Sequence, residues 1–286
     1  MNSLSIALAQ YDIGYFNSWL DYEKKVSGWV KQAAQSSRLL VFPEYASMEL
    51  TSLLAEPVRN SLTQQLVEIQ NFYPDFCALQ AKLSREFNVV IVASSFPTQV
   101  GEGCFVNRVN VFEQGEVIGV QDKLMMTRFE AEQWGISPGE SLGVITTSVA
   151  RLGICTCYDS EFPMLARKLV EQGADVIVVP SCTDTLAGYN RVKTGCQARA
   201  MENQCYVLQS PTVSNANWSP AVDINVGAAA VYTPIDCGFP VNGILVQGEM
   251  NTVQWLRVEL DLSKLIEVRE SGQVFNYRDW PKQRRY

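Results

Sequence analysis

Apolar and polar positions alternate along this chain in short blocks. Residues 3–10 place Leu4, Ile6 and Leu8 on one face and small residues on the other, which predicts a buried strand. Residues 17–36 carry Trp19, Tyr22, Val26, Trp29 and Ala33 at helical spacing, which predicts a helix with one core-facing side. Residues 38–42 form a second strand. Pro43 removes a ladder donor and ends it, leaving Glu44 at the tip. Residues 61–87 predict one or two helices, interrupted near Tyr73-Pro74. Residues 88–95 and 104–112 read as strands, and Gln114-Gly115 turns the latter into a hairpin with residues 116–121. Lys123 closes that hairpin. Residues 124–140 then read as a long polar and aromatic loop. Loops of this length inside a compact domain are usually functional, so a pocket wall is expected there.

The second half continues the alternation. Residues 142–149 and 151–156 predict another hairpin, which leads to Cys157. The chain turns on Asp159 and Ser160 and enters a helical run from Pro163 to about residue 172, with Leu165, Leu169 and Val170 inward and Gly173 as its cap. Residues 175–180 are a buried strand, followed by Ser181-Cys182-Thr183-Asp184. A polar cluster at that strand end should line the same pocket as Cys157. Residues 189–203 predict a helix, and residues 205–210, 226–231, 243–247 and 252–260 predict the remaining strands. From about residue 266 to 286 the apolar signal gives way to a tail with Arg278, Trp280, Lys282, Arg284, Arg285 and Tyr286. Its aromatic residues suit docking on this subunit or a second one. No repeat or linker divides the chain, so residues 1–286 are expected to form one domain with that tail. Strands alternating with helices, with hairpins between, predict an α/β layered fold with a mixed sheet.

Composition narrows the function classes. With 47% hydrophobic and 19% charged residues, the chain is of the globular type. A formal charge of -7 argues against nucleic acid or an anionic membrane as the main partner. Met1-Asn2-Ser3-Leu4 shows no basic region followed by an apolar core, and no apolar run is long enough to span a bilayer. Eight cysteines without a secretory signal suggest a reducing, cytoplasmic setting. No CxxC pair is present and histidine is absent, so no metal is expected.

The missing histidine also shapes the chemistry. A Cys–His dyad and a Ser–His–Asp triad are excluded within one subunit. Cys157 lies at a strand-to-helix corner, where a helix N-terminus would lower a thiol pKa and backbone N–H groups could hold an oxyanion. Buried cysteines are more often packing atoms, and Cys155, one strand step inside, is expected to be one. A catalytic Cys157 would need a carboxylate or a lysine as proton partner. Glu44 and Lys123 each follow an apolar strand, although a surface carboxylate and a solvated lysine are the ordinary fates there. Asp184, Tyr189 and Arg191 are candidate substrate contacts. For Arg191 the ordinary alternative is a salt bridge with Asp184 or Glu202.

Three segments carry a family resemblance. Glu44 in Phe42-Pro43-Glu44-Tyr45, Lys123 in Asp122-Lys123-Leu124 and Cys157 in Cys157-Tyr158-Asp159-Ser160-Glu161-Phe162-Pro163 resemble the Glu–Lys–Cys triad of the nitrilase superfamily of carbon–nitrogen hydrolases. The resemblance runs from the first strand to about Leu260. It implies a four-layer αββα sandwich of two mixed β-sheets flanked by helices. It also implies a second glutamate shortly after the lysine, Glu130 or its neighbour Glu132, with Glu130 the better match. The Arg199-Ala200-Met201-Glu202-Asn203 segment resembles a stretch that is mainly structural in the family. No cofactor is implied, and assembly as a homodimer or larger even-numbered oligomer is.

The implied reaction is hydrolysis of a small linear amide. Cys157 would form a thioester, Glu44 would move the protons, and Lys123 with the Tyr158 backbone N–H would face the oxyanion. The cysteine context is CYDSEFP rather than the CWEN typical of nitrile cleavage, which is closer to amidase, ω-amidase and carbamoylase branches. Nitrile or N-carbamoyl hydrolysis with the same triad is the alternative. Two other classes are a non-catalytic scaffold that binds a partner and a redox protein using Cys155 and Cys157. The TRFEAEQWG and PSCTDT segments are similar to a poorly characterised branch in which some members carry a fused acetyltransferase domain, for which 286 residues are expected to leave no room.

Overall fold

The computed structural model describes residues 3–285; Met1, Asn2 and Tyr286, with the side chains of Arg284 and Arg285, lie outside the described residues. Two sheets form its centre. In the first, Ser3–Asp12 runs between Leu39–Val41, parallel to it, and Gln254–Asp261, antiparallel. Val90–Val92 extends the parallel run, and Cys104–Glu113 adds antiparallel to it. In the second, Arg151–Ile154, Val176–Ser181 and Tyr206–Asn215 are parallel, with Val144–Thr146 antiparallel at one edge. Ala230–Tyr232 and Ile244–Gln247 add antiparallel on the other side. The sheets join where Tyr11 and Asp12 pair with Thr212 and Val213.

Period-two patterning sorts the strand residues into layers. Leu4, Ile6, Leu8, Val41, Val90 and Val92 pack against Leu152, Ile154, Val176, Val178 and Leu208 between the two sheets. The alternate residues Ala7, Ala9, Leu40 and Ile91 face Tyr22, Val26 and Val30 of helix Trp19–Ala34 and Phe76 and Leu83 of helix Tyr73–Glu86. On the opposite side, Ile177, Val179 and Val207 face Ala166 and Leu169 of helix Pro163–Glu171 and Val192 and Cys196 of helix Leu186–Asn203. The order helix, sheet, sheet, helix is the expected four-layer αββα sandwich. Each fully buried Leu, Ile or Val contributes about 1.5–3 kcal/mol, so the central layer carries much of the stability.

Several elements differ from the sequence reading. The helical region before Val90 resolves into Leu62–Glu68, a 3₁₀ turn over Ile69–Phe72, and Tyr73–Glu86, with Pro74 in the first turn where its missing N–H costs nothing. Ala46–Leu53 forms a further 3₁₀ segment, and Phe96–Gly101 is an edge strand that tolerates Pro97. Residues 124–140 are not a plain loop. Phe129–Trp134 is a π-type helical turn, closed by Gly135 N–H donating to Glu130 O at 2.9 Å, and Ile136–Ser137 pairs with Phe105 and Val106. The expected strand over residues 226–231 shrinks to Ala230–Tyr232, and the strand expected to stop at Ser210 runs on to Asn215. The tail docks on its own chain. The Arg167 guanidinium lies 5.1 Å from the Trp280 ring, and the Arg269 guanidinium lies 4.4 Å from the Tyr277 ring. No helix among the described residues is long and apolar enough to cross a membrane.

Candidate active site

Two strand ends bring the candidate residues together, and both carry strained backbone. Tyr45, directly after Glu44, has φ +56°, and Cys157 has φ +48°. Residues other than glycine seldom adopt this left-handed region, so surrounding contacts must hold it. Tyr45 N–H donates to Ser95 Oγ at 2.9 Å. Cys157 opens the five-residue 3₁₀ turn Cys157–Glu161. Ser160 Oγ donates to Cys157 O at 2.6 Å, and Arg199 Nη1 donates to Ser160 O at 3.1 Å. Helix Leu186–Asn203 approaches this turn so closely that a Cβ on Gly195 would lie 2.8 Å from Ser160 O. Asp159 ties the same turn to the segment after Lys123. Its carboxylate accepts from Thr156 N at 3.1 Å, Leu124 N at 3.1 Å and Met125 N at 2.7 Å.

At the centre is a buried charge cluster. Lys123 Nζ lies 2.9 Å from Glu44 Oε1 and 2.8 and 2.7 Å from the two oxygens of Glu130. All three residues are at most 2% exposed. Glu130 also accepts from Tyr45 Oη at 2.8 Å and from Thr127 N and Oγ1 at 2.9 Å each. Glu132 instead lies on the surface, paired with Arg128 at 2.8 Å, so Glu130 is the glutamate at this site. Asn107 Nδ2 donates to Glu44 Oε1 at 2.9 Å. The Cys157 thiol donates to Cys182 O at 3.7 Å, and it lies near enough to Glu44 for each group to influence the other's protonation.

Burial and neighbours set the protonation states. For Glu44, loss of solvent pushes the carboxyl up, Lys123 pulls it back, and Glu130 pushes it up again; the result lies above the ordinary range. For Glu130, burial is outweighed by Lys123, Thr127 and Tyr45, and the carboxyl lies below that range. Burial works against the Lys123 charge, but Glu44 and Glu130 hold its pKa well above the ordinary value. Burial, then the adjacent Glu44 charge, raises Cys157 well above an ordinary thiol, with Lys123 opposing. This overturns the expected lowering by a helix N-terminus. The α-helix begins only at Pro163, beyond the 3₁₀ turn, and burial dominates. Cys155 is fully buried among Leu169, Ile177 and Val179, and burial raises its thiol too.

A cavity of about 660 Å³ opens over the cluster. Tyr158, Asp184 and Arg191 line it, with Asp184 and Arg191 exposed at the rim. Tyr189 does not line it; the side chain is buried beside Cys196 and Tyr232. Arg191 pairs with Glu161 at 3.5 Å rather than with Asp184 or Glu202, and Glu202 pairs with Arg199 at 2.6 Å. The sequence reading missed Asn107, Tyr45, Thr127 and Asp159. Asn107 and Asn110 interrupt the run of apolar residues over 105–112, and that interruption was the available signal. Among the described residues, no group of cysteine, aspartate or glutamate side chains is placed to hold a metal ion.

Comparison with known proteins fits this geometry. Residues 5–234 match the family model described as carbon-nitrogen hydrolase. The probable hydrolase YhcX of Bacillus subtilis (strain 168) is 32% identical over 275 residues, covering 96% of this chain and 53% of that protein. The chain therefore spans about half the length of that relative. The omega-amidase NIT2 of Homo sapiens is 24% identical over 97% of this chain and 96% of its own length. The crystal structure of a carbon-nitrogen hydrolase from Helicobacter pylori G27 superposes with a TM-score of 0.78 at 20% identity, covering 100% of this chain and 95% of that one. The chain belongs to the carbon–nitrogen hydrolase family, within the nitrilase superfamily.

Proposed function

We propose that this chain hydrolyses the C–N bond of a small linear amide, releasing ammonia and a carboxylic acid. Cys157 Sγ attacks the carbonyl carbon while Glu44 takes the thiol proton. The tetrahedral oxyanion forms beside the Lys123 charge and the Tyr158 backbone N–H. Loss of one such stabilising group typically costs about 10²–10³ in rate. The intermediate collapses as Glu44 returns the proton to the departing nitrogen, leaving a thioester on Cys157. Water, giving a proton to Glu44, then attacks the thioester and frees the acid and the thiol. Glu130 holds Lys123 against Glu44 throughout.

The observation that carries this reading is the buried Glu44–Lys123–Glu130 set, which lines one cavity together with Cys157. Keeping three buried charges is costly unless they work, which supports an enzyme over a scaffold. Cys155 and Cys157 belong to the same apolar cluster, but only Cys157 also lines the cavity, which counts against a redox pair. The omega-amidase relative supports amides over nitriles. A cavity of about 660 Å³, with Met126, Phe129, Trp134 and Val192 on its wall and Asp184 and Arg191 at its rim, suits an acyl group larger than acetyl with a polar far end. A reducing cytoplasm suits a thiol nucleophile.

The test is an amide library incubated with wild type, Glu44→Gln and Cys157→Ala, following ammonia and intact protein mass. Wild type alone is expected to release ammonia. Added hydroxylamine is expected to divert the acyl group to a hydroxamate, and the acyl mass would name the substrate class. Full activity in Glu44→Gln would end this mechanism, and faster turnover of nitriles would end the amide assignment.

A further inference from the structure

We propose that Asn107 is a positioning residue that fixes the Glu44 carboxylate with one oxygen anchored and the other free to face Cys157. The idea rests on the reading of Glu44 as the proton acceptor for Cys157. Asn107 sits fully buried on strand Cys104–Glu113. Its Nδ2 donates to Glu44 Oε1 at 2.9 Å, and Lys123 Nζ lies 2.9 Å from the same oxygen. Oε1 is thereby occupied twice, and a carboxylate pinned through one oxygen turns its second lone-pair set outward. The Asn107 backbone works on the other partner: Lys123 N–H donates to Asn107 O at 2.9 Å. One residue thus sets both the base and the strand end that carries the cation.

The side chain has no packing rationale. Asn107 Oδ1 is buried without a hydrogen-bond partner among the described residues. An unmade bond of that kind costs about 1–3 kcal/mol, which a valine at this position would avoid. The amide also has the right charge. A neutral N–H donor restrains the carboxylate without adding a second cation that would hold Glu44 ionised too firmly to take a proton. The groups facing Glu44 are Lys123, Glu130, Cys157, Cys182 and Tyr45. Arg108, the next residue along the strand, is engaged elsewhere by Asp122 at 2.7 Å.

The readout is the pH dependence of Cys157 alkylation by iodoacetamide, located by peptide mass, with the exposed Cys237 as internal reference. It needs no substrate, so it is separable from the amidase reading. Wild type should show an acid limb that Glu44→Gln removes; a limb unchanged in Glu44→Gln would show that Glu44 is not the base and overturn both readings. With Glu44 established, Asn107→Ala is expected to move the limb up by about one pH unit or more, because a hydrogen bond to the ionised carboxylate is lost. Asn107→Asp keeps the volume, places a second carboxyl beside Glu44, and should move the limb up further. On an amide substrate both variants are expected to lose about tenfold or more in kcat with KM within about twofold. A residue that merely packs would lower the melting temperature and leave the limb in place. Folded variants with the wild-type limb would therefore overturn the proposal, even if wild type turns over amides.

Discussion

Lys123→Met tests the charge cluster most directly. The substitution keeps most of the side-chain volume and removes the ammonium that lies within 2.9 Å of both Glu44 and Glu130. Glu130 would keep Tyr45 Oη, Thr127 N and Thr127 Oγ1 as donors, whereas Glu44 would keep Asn107 Nδ2. Removing one partner of a buried ion pair typically costs about 3–5 kcal/mol. The loss should depend on pH. Without Lys123 the Glu44 pKa, already raised by burial, rises further. A carboxyl raised above its unfolded value gives a contribution fully present below that value and lost as pH rises through the folded pKa. The variant should therefore lose about 3–5 kcal/mol at pH 8 and clearly less near pH 5.5, where Glu44 can stay neutral. Urea unfolding of wild type and variant at the two pH values measures both numbers. Adding Glu130→Gln to Lys123→Met should restore part of the stability at pH 8 and none of the turnover. A loss below about 1 kcal/mol at pH 8, or one independent of pH, would refute the picture of a dry, mutually dependent cluster.

The remaining predictions concern the thiols, Asp159 and assembly. Cys157→Ala should abolish turnover and Cys155→Ala should leave most of it, as measured by ammonia release; equal loss in two folded variants would mean the wrong thiol was chosen. Burial raises Asp159 to about 7, against the opposing pull of Lys123 and its backbone donors, so the wild type should lose stability as pH rises through that value. Asp159→Asn should therefore become more stable relative to wild type between pH 5 and pH 8.5, read from urea midpoints, and a flat difference would mean Asp159 titrates normally. On the family resemblance, a homodimer or larger even-numbered oligomer is expected, and light scattering giving a monomer mass at micromolar concentration would overturn that.

The legible parts of this fold were those written in local pattern. Ile6, Leu8, Val41 and Val92 sit in short β-branched or aliphatic runs, and each run became a strand of the central layer. Glu44 was legible because Pro43 ends a strand beside it, and Lys123 because it follows a hairpin. Asn107 was not, since its significance lies in a partner separated from it by 63 positions. The turn at Phe129–Trp134 was hidden because a single π-type turn has no apolar period to read. Tyr189 was misplaced because it begins the expected helix, whereas the helix begins at Leu186, where Thr185 caps it by accepting from Gly188 N, and its side chain is buried. The four layers themselves came from the family resemblance, because alternation alone cannot say that two sheets stack.

The protonation of Cys157 has the widest consequence. A cysteine enzyme with a histidine can rest as a thiolate–imidazolium pair, but this chain has no histidine. Its candidate nucleophile and candidate base both lie above their ordinary values, and burial is the first cause in each. The resting site therefore holds a thiol, and in the proposed mechanism its proton moves to Glu44 as the carbon–sulfur bond forms. Glu44 and Glu130 share the Lys123 ammonium and titrate as a pair, so a pH–rate profile would report values for the two carboxyls together rather than for Glu44 alone. A resting thiol is a slow target for peroxide, because oxidation follows thiolate character. In the proposed mechanism it becomes a nucleophile when an amide carbonyl enters the cavity and offers the Lys123 charge a developing oxyanion to stabilise. Selectivity between substrate and stray electrophiles then follows from the same burial that raises both pKa values. The strained backbone at Tyr45 and Cys157 fits this arrangement, since each turns the chain sharply after a strand where a candidate side chain, Glu44 or Cys157, lines the shared cavity.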